Sequence, residues 1–336
     1  MDTDFANRRR RDLIVAFCLA AIAAIVPLFV KDVYVQNIMV LTLMWGALSQ
    51  SWNILSGYCG QISLGHALYF GLGAYTTTLL FTKFGVLPWF GMLGGGVISA
   101  LIAMGLGYPC FRLRGHYFAI GTWVMAEVFR LIASQVSVLG GGSGISLPAG
   151  IVTSMAASRQ MREFLVYWAV FALVVTVLVA IVLLLRSRYG LALTAIRDNE
   201  IAARSNGIDV GRIKFAVYVV TAAGTAMIGA LIFLQKIRIS PDTAFSVNDW
   251  TAFVIFITVI GGIGRVEGPI IGTAVFFLLR QTLADLGSLY LMMLGAVAIA
   301  VMLKAPKGIW GLIADRLGWQ LFPLERRLVK PTTRDA

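Results

Sequence analysis

Few side chains in this sequence are of a type and spacing suited to covalent chemistry. The two histidines, His66 and His116, each follow a glycine and stand far apart. Cys18, Cys59 and Cys110 lie scattered in apolar or glycine-rich sequence with no C-x-x-C pair. They read as small buried hydrophobes rather than as a disulfide or a metal site. No Ser/His/Asp or Cys/His grouping suited to nucleophilic catalysis appears. The G-x-x-x-x-G-K-[ST] phosphate loop is also missing, so this chain is not expected to hydrolyse ATP by that route. What remains is one carboxylate in apolar sequence, Glu127, with Arg130 three residues later on the same helical face. An ionisable group at mid-membrane costs about 2.5–3.5 kcal/mol on insertion scales, so it takes a partner or water. A structural ion pair and a pathway or proton-carrying role are both open. Arg280 and Asp285, close to a predicted helix end, read more plainly as structural.

The elements that must position these groups follow from composition. Of 336 residues, 59% are hydrophobic and 13% charged, against about 25% charged in a soluble domain. With a mean hydropathy of +0.84, the chain is expected to be an all-α polytopic membrane protein. About ten apolar stretches of spanning length fall at 13–30, 38–55, 66–82, 89–110, 116–137, 164–185, 215–235, 250–264, 269–285 and 288–303. The net charge of +12 does not indicate nucleic acid, because Lys and Arg sit in short segments between apolar runs. If the N-terminus is cytoplasmic and the spans alternate, Arg8 to Arg11, Arg112, Arg114, the six from Arg186 to Lys214, Arg265 and the tail from Lys304 all fall inside. Only Lys31, Lys83, Arg159, Arg162, Lys236 and Arg238 fall outside, so the positive-inside bias places both termini in the cytoplasm. Trp89, Trp168 and Trp250 are expected at outer helix ends, where an indole suits the headgroup layer. Arg8 to Arg11 followed by Leu13 to Val30 resembles a signal peptide, but its length and Pro27 favour a retained first helix.

This gives a basic N-terminus (1–12), a transmembrane domain (13–303) and an interfacial cytoplasmic tail (304–336) with Trp310 and Trp319. Two connections are long: a glycine-rich outer loop at 138–163 and a charged inner loop at 186–214. The inner loop contains Leu193 to Gly207, expected as one helix ending at Gly207 in a left-handed cap. Ala202 and Ala203 leave it without bulk, so it can seat in another protein's groove; a helix lying on lipid is the alternative. Gly57-Tyr58-Cys59-Gly60-Gln61-Ile62-Ser63-Leu64-Gly65-His66 interrupts membrane sequence with glycines and polar groups. It is either a broken helix lining a path or a tight turn between spans. Gly57-x-x-Gly60-Gln61-Ile62-Ser63 can be laid over Gly261-x-x-Gly264-Arg265-Val266-Glu267, a possible internal repeat. The pathway candidates are therefore Gln61, Ser63, Gly65, His66 and Glu127.

Several of these stretches together resemble the permease subunits of branched-chain amino-acid ABC importers, the M-type of the paired permeases. They are GYCGQISLGHALYFGLGAY (57–75), RLRGHYFA (112–119), AIRDNEIAARSNGI (195–208), Ser240-Pro241-Asp242, GGIGRVEGPIIG (261–272) and Ala305-Pro306-Lys307-Gly308. The resemblance implies a multi-pass protein of the bacterial inner membrane, with membrane lipid around it. Its implied partners are a second homologous permease, two cytosolic ATPases and a periplasmic substrate-binding protein. ATP and Mg would be held by the ATPases, and no cofactor by this chain. It also implies that the inner loop couples to the ATPase through Arg197, Asn199, Glu200, Ala202, Ala203 and Gly207. Ala202, Ala203 and Gly207 fit the wider Glu-Ala-Ala-x-x-x-Gly spacing, but Ile201 stands at the Glu position and Glu200 lies one residue early. Leucine, isoleucine and valine are the first-ranked cargo, with urea, short amides or other amino acids as the alternative. A secondary transporter carrying protons on Glu127 is a further alternative.

Overall fold

The computed structural model describes residues 20–30, 32–113, 115–146, 158–283, 287, 289–317 and 322. The basic N-terminus, residues 147–157 of the outer loop, and the tail beyond Leu317 except Phe322 lie outside that set, Trp319 among them. The first half of the chain forms α1 (Ala20–Phe29), α2 (Val33–Asn53), α3 (His66–Phe84), α4 (Pro88–Cys110), α5 (His116–Gln135) and α6 (Arg159–Arg186). The inner connection forms α7 (Arg188–Asp198) and α8 (Glu200–Ser205). Then come α9 (Val210–Lys236), α10 (Pro241–Ala244), α11 (Phe253–Gly261), α12 (Glu267–Leu283), α13 (Leu289–Lys304) and α14 (Gly308–Leu317).

Among the described residues, seven stretches are long and apolar enough to cross a bilayer: Val33–Tyr58, Pro88–Cys110, His116–Gln135, Gln160–Arg186, Val210–Lys236, Pro241–Gly261 and Leu289–Ala314. The chain is thus an all-α polytopic membrane protein. The other three expected spans coincide with helices that fall short of this criterion. In α3 the hydroxyls of Thr76 to Thr78 and Thr82, with Lys83, dilute the hydropathy. Those of Thr78 and Thr82 donate to carbonyls one turn back, at 2.8 and 2.7 Å, which satisfies them within the helix. The helix α12 is 17 residues long, and α1 is the short described part of the first run.

Two packing units carry the structure. In one, α3, α4 and α9 pack together, closely enough that a Cβ on Gly73 would collide with the Ala226 carbonyl. Small residues at such contacts are how helices associate where lipid removes the hydrophobic drive. In the other, α2 packs on α6 and against the α11–α12 hairpin. An aromatic cluster of Trp45, Phe253, Phe276 and Phe277 fills its centre. Trp250 is enclosed by protein: it is 4% exposed, stacks on Phe70 at 3.9 Å, and its Nε1 donates to the Thr243 carbonyl. Its indole already has both an apolar face and a hydrogen-bond acceptor inside the protein. Trp89, at the start of α4, is exposed as expected.

One end of the bundle gathers the first glycine-rich turn, the basic segment 197–214, the turn after α11 and Lys307. The other end carries a two-stranded antiparallel pair, β1 (Ile145–Ser146) and β2 (Arg238–Ile239), next to α10. The tail helix α14 packs on α11 and α12 with Trp310 and Ala314 buried, leaving Leu312 exposed.

Candidate functional site

The polar interruption after α2 begins as a π-helical turn, Ile54–Tyr58, and then runs without helix to His66. Side chains from three elements hold its backbone. Trp52 Nε1 donates to the Ser63 carbonyl at 2.9 Å, Ser56 Oγ to the Gln61 carbonyl at 2.9 Å, and the Leu64 amide to Thr122 Oγ1 at 3.0 Å. The Ala67 amide donates to Thr251 Oγ1 at 3.2 Å. Irregular backbone inside a bundle is stable only when protein or water supplies such partners. Of the pathway candidates, Ser63, Gly65 and His66 are buried here, with Gln61 half-buried beside them and Ile62 exposed. This one short segment therefore brings four of them together.

Glu127 is not part of that group. It accepts from Arg130 at 2.5 Å, and the same guanidinium donates to Asp242 of the Ser240-Pro241-Asp242 stretch at 2.5 Å. The arrangement ties α5 to α10 at the end carrying β1 and β2, and the Glu127 side chain is 43% exposed.

The two glycine-rich turns that the sequence aligns with each other are in direct contact. A Cβ on Gly57 would lie 2.6 Å from the Gly264 nitrogen and 3.0 Å from its Cα. Asn53 bridges them: Oδ1 accepts from the Gly264 amide at 2.8 Å and Nδ2 donates to the Arg265 carbonyl at 2.8 Å. Gln50 Nε2 donates to the Val266 carbonyl at 2.5 Å. The turns are built differently, however. The helices α11 and α12 form a tight hairpin, whereas α2 and α3 diverge to the two packing units. On the far side of the second turn, the Ala305-Pro306-Lys307-Gly308 stretch rests on Gly262.

The inner segment is two helices, not one over 193–207. It breaks at Asn199 (φ −158°, ψ 104°), whose Oδ1 accepts from the amides of Ile201 and Ala202 and so starts a second helix. Asparagine is a preferred N-cap for this reason. Gly207 adopts φ +78° beyond the end of α8. Ala202 is exposed and, with Arg188, Leu191, Ala195, Asn199 and Asn206, lines an open groove of about 580 Å³. Ala203 also borders this groove but is only 2% exposed, packed inward against Ile196 and Val210. Glu200 also faces inward, accepting from Lys214 Nζ at 2.6 Å and from Arg204 at 2.6 Å. Arg197 Nη1 donates to the Gly57 carbonyl at 3.3 Å while its Nε donates to Asp198 at 3.0 Å.

The segment 34–303 matches the family described as branched-chain amino acid transport system, permease component. The chain belongs to that permease family. Its relatives include the proteins named high-affinity branched-chain amino acid transport system permease protein LivM of Salmonella typhimurium and of Escherichia coli. Each is 30% identical over 295 residues, covering 81% of this chain and 69% of the relative. A Methanocaldococcus jannaschii protein named probable branched-chain amino acid transport permease protein LivM is 26% identical, covering 68% and 71%. No solved structure matches this chain.

Several residues that shape the permease's site escaped the sequence reading: Gln50, Asn53, Trp52, Thr122, Thr251 and Lys214. Gln50 and Asn53 carried a signal, two amides in the last turn of an apolar span. Thr122 and Thr251 carried none, since a threonine in a membrane helix usually bonds its own backbone.

The Glu200 carboxyl is held below its ordinary value, chiefly by the Lys214 hydrogen bond, with burial opposing and the Arg204 charge assisting. A value lower in the folded than in the unfolded chain means the tie stabilises the segment at neutral pH. It is lost as pH falls through the depressed value, below the usual carboxylate range near about 4.3. Glu200 is 40% exposed, so solvent screening keeps the effect small. Glu200→Gln is expected to raise amide hydrogen exchange across 200–206 at pH 7 without changing exchange in α9. Equal protection in variant and parent would show that the tie does not hold α8.

Proposed function

We propose that this permease is the membrane-spanning subunit of an ATP-driven importer for branched-chain amino acids: leucine, isoleucine and valine. The names of its relatives support that cargo. In this reading ten helices cross the bacterial cytoplasmic membrane, with both termini and the α7–α8 segment in the cytoplasm. The basic segments gathered at one end of the bundle support that orientation. Two cytosolic ATPases, which carry ATP and Mg, engage α7–α8. A second homologous permease completes the membrane core, and a periplasmic binding protein delivers substrate to the end carrying β1 and β2.

The observation that carries the reading is the α7–α8 segment itself. It lies between two spanning helices, is anchored from below by Glu200 and Ala203, and presents an open groove with Ala202 in its wall. Closure of the ATPases would move this segment, and the helices it rests on would open the path to one side and then the other. A photo-crosslinking residue at Ile201, 79% exposed beside the groove, is expected to capture an ATPase subunit in native membranes. Capture of lipid alone would remove the coupling role from this segment.

The Glu127 geometry favours a structural ion pair over proton carriage, since the carboxylate is taken up by Arg130, which also binds Asp242. Uptake is therefore expected to survive Glu127→Gln at half the parental rate or better, and to survive collapse of the proton gradient. Loss of uptake on both treatments would point instead to a proton-driven carrier.

A further inference from the structure

We infer that Arg197 is the positioning residue through which movement of the α7–α8 segment reaches the two packed glycine turns. This inference deepens the importer reading and rests on it. The resemblance to ABC permeases assigns the 195–208 stretch to contact with the ATPase, yet the Arg197 side chain turns away from the groove and towards the membrane bundle. Its Nη1 donates to the Gly57 carbonyl at 3.3 Å, and a Cβ on Gly264 would come 3.1 Å from that same nitrogen. A Cβ on Gly60 would lie 3.5 Å from the Arg197 Cα. One residue thus bonds the first turn with its guanidinium and lies close enough to both turns that a side chain on Gly60 or Gly264 would press on it.

The chemistry at this point suits arginine. The Gly57 carbonyl lies in the π-helical turn that ends α2, where carbonyl ends concentrate negative potential and favour a cation. The planar guanidinium donates from Nε to Asp198 and from Nη1 to Gly57 at once, a two-sided reach that a lysine ammonium cannot reproduce. Beyond the contact, Asn53 and Gln50 fasten α2 to the second turn, and the first turn leads directly into the segment holding Gln61, Ser63 and His66. Displacement of α7 therefore acts on the junction between the packing units and not on one helix alone.

The test uses the complete importer, with both permeases, the ATPases and the binding protein, in proteoliposomes. ATP hydrolysis and substrate uptake are measured together for parent, Arg197→Lys and Arg197→Gln. Both variants are expected to hydrolyse ATP while uptake per ATP falls, for Arg197→Gln by about tenfold, the order expected from one charge-assisted hydrogen bond. Arg197→Lys should fall between. A parental ratio of uptake to hydrolysis in both variants would overturn the inference, and so would a parallel loss of the two activities in an assembled complex.

A second measurement needs no variant. On ATP binding, hydrogen exchange in the parental complex should change at 54–60 and 262–266 together with 193–205. A response confined to 193–205 overturns the inference even if the Arg197 variants fail to assemble. Absence of ATP-driven uptake in the parental complex would instead sink the importer reading itself, a separable result.

Discussion

Ala202→Arg is expected to reduce ATP-driven uptake by tenfold or more while the permease remains in the membrane at its normal abundance. The Ala202 side chain faces outward into the groove formed with Leu191, Ala195 and Asn206, so an arginine there leaves the segment's own packing intact. It would instead place bulk and an unpaired charge where, on the proposed coupling role, a partner surface seats closely. Truncating or obstructing a central interface position commonly costs 2 kcal/mol or more, about thirtyfold in affinity. The neighbouring alanine makes an internal control. Ala203 is enclosed by Ile196 and Val210, so Ala203→Arg should destabilise the segment itself and lower abundance as well as uptake. If Ala202→Arg transports normally, the groove is not the ATPase contact.

The second large effect concerns the junction between the turns. Gly57→Ala is expected to lower the thermal midpoint of the purified protein by several degrees, whereas Gly46→Ala is expected to leave it unchanged. The new Cβ at Gly57 meets the Gly264 backbone, which cannot move like a side-chain tip, and it also crowds the Asn53 carboxamide. Displaced, Asn53 loses its bonds to the Gly264 amide and the Arg265 carbonyl. Overpacking of this kind costs about 1–3 kcal/mol. At Gly46 the nearest atom to a Cβ is Thr273 Oγ1 at 3.6 Å, an ordinary contact. Equal midpoints for the two variants, followed by the elution of aggregates after heating, would mean that the turns are not packed as described.

Local features of the sequence were the readable ones. Apolar run length pointed to each of the seven membrane-length helices among the described residues, because in lipid the backbone must satisfy itself within each segment. The Gly57–His66 stretch was recognisable as a break because glycines and polar groups have no other reason to interrupt such sequence. Gly207 was recognisable as a helix end, and it does take positive φ. The break at Asn199 was not foreseen, since Asn199 was weighed as a coupling residue and not as the cap that splits the segment in two. Nor could sequence show that Ala202 is exposed while Ala203 is buried, because the turn of a short capped helix depends on what lies beneath it. The contact of Gly57 with Gly264 was half visible as a pattern match. Its bridging by Asn53 joins residues more than two hundred positions apart, which periodicity cannot reach. The burial of Trp250 is out of reach for a similar reason: position along a span says how deep a residue lies, not which neighbours enclose it.

On the proposed function, this permease moves substrate only when separate ATPases drive it. The most direct measurement is leucine uptake by proteoliposomes holding the complex recovered from native membranes in mild detergent. Under the importer reading, a second permease and soluble ATPases come along with the tagged chain, and uptake requires ATP and the binding protein and persists when the proton gradient is collapsed. Recovery of this chain alone, with leucine uptake driven by a proton gradient and indifferent to ATP, would contradict it.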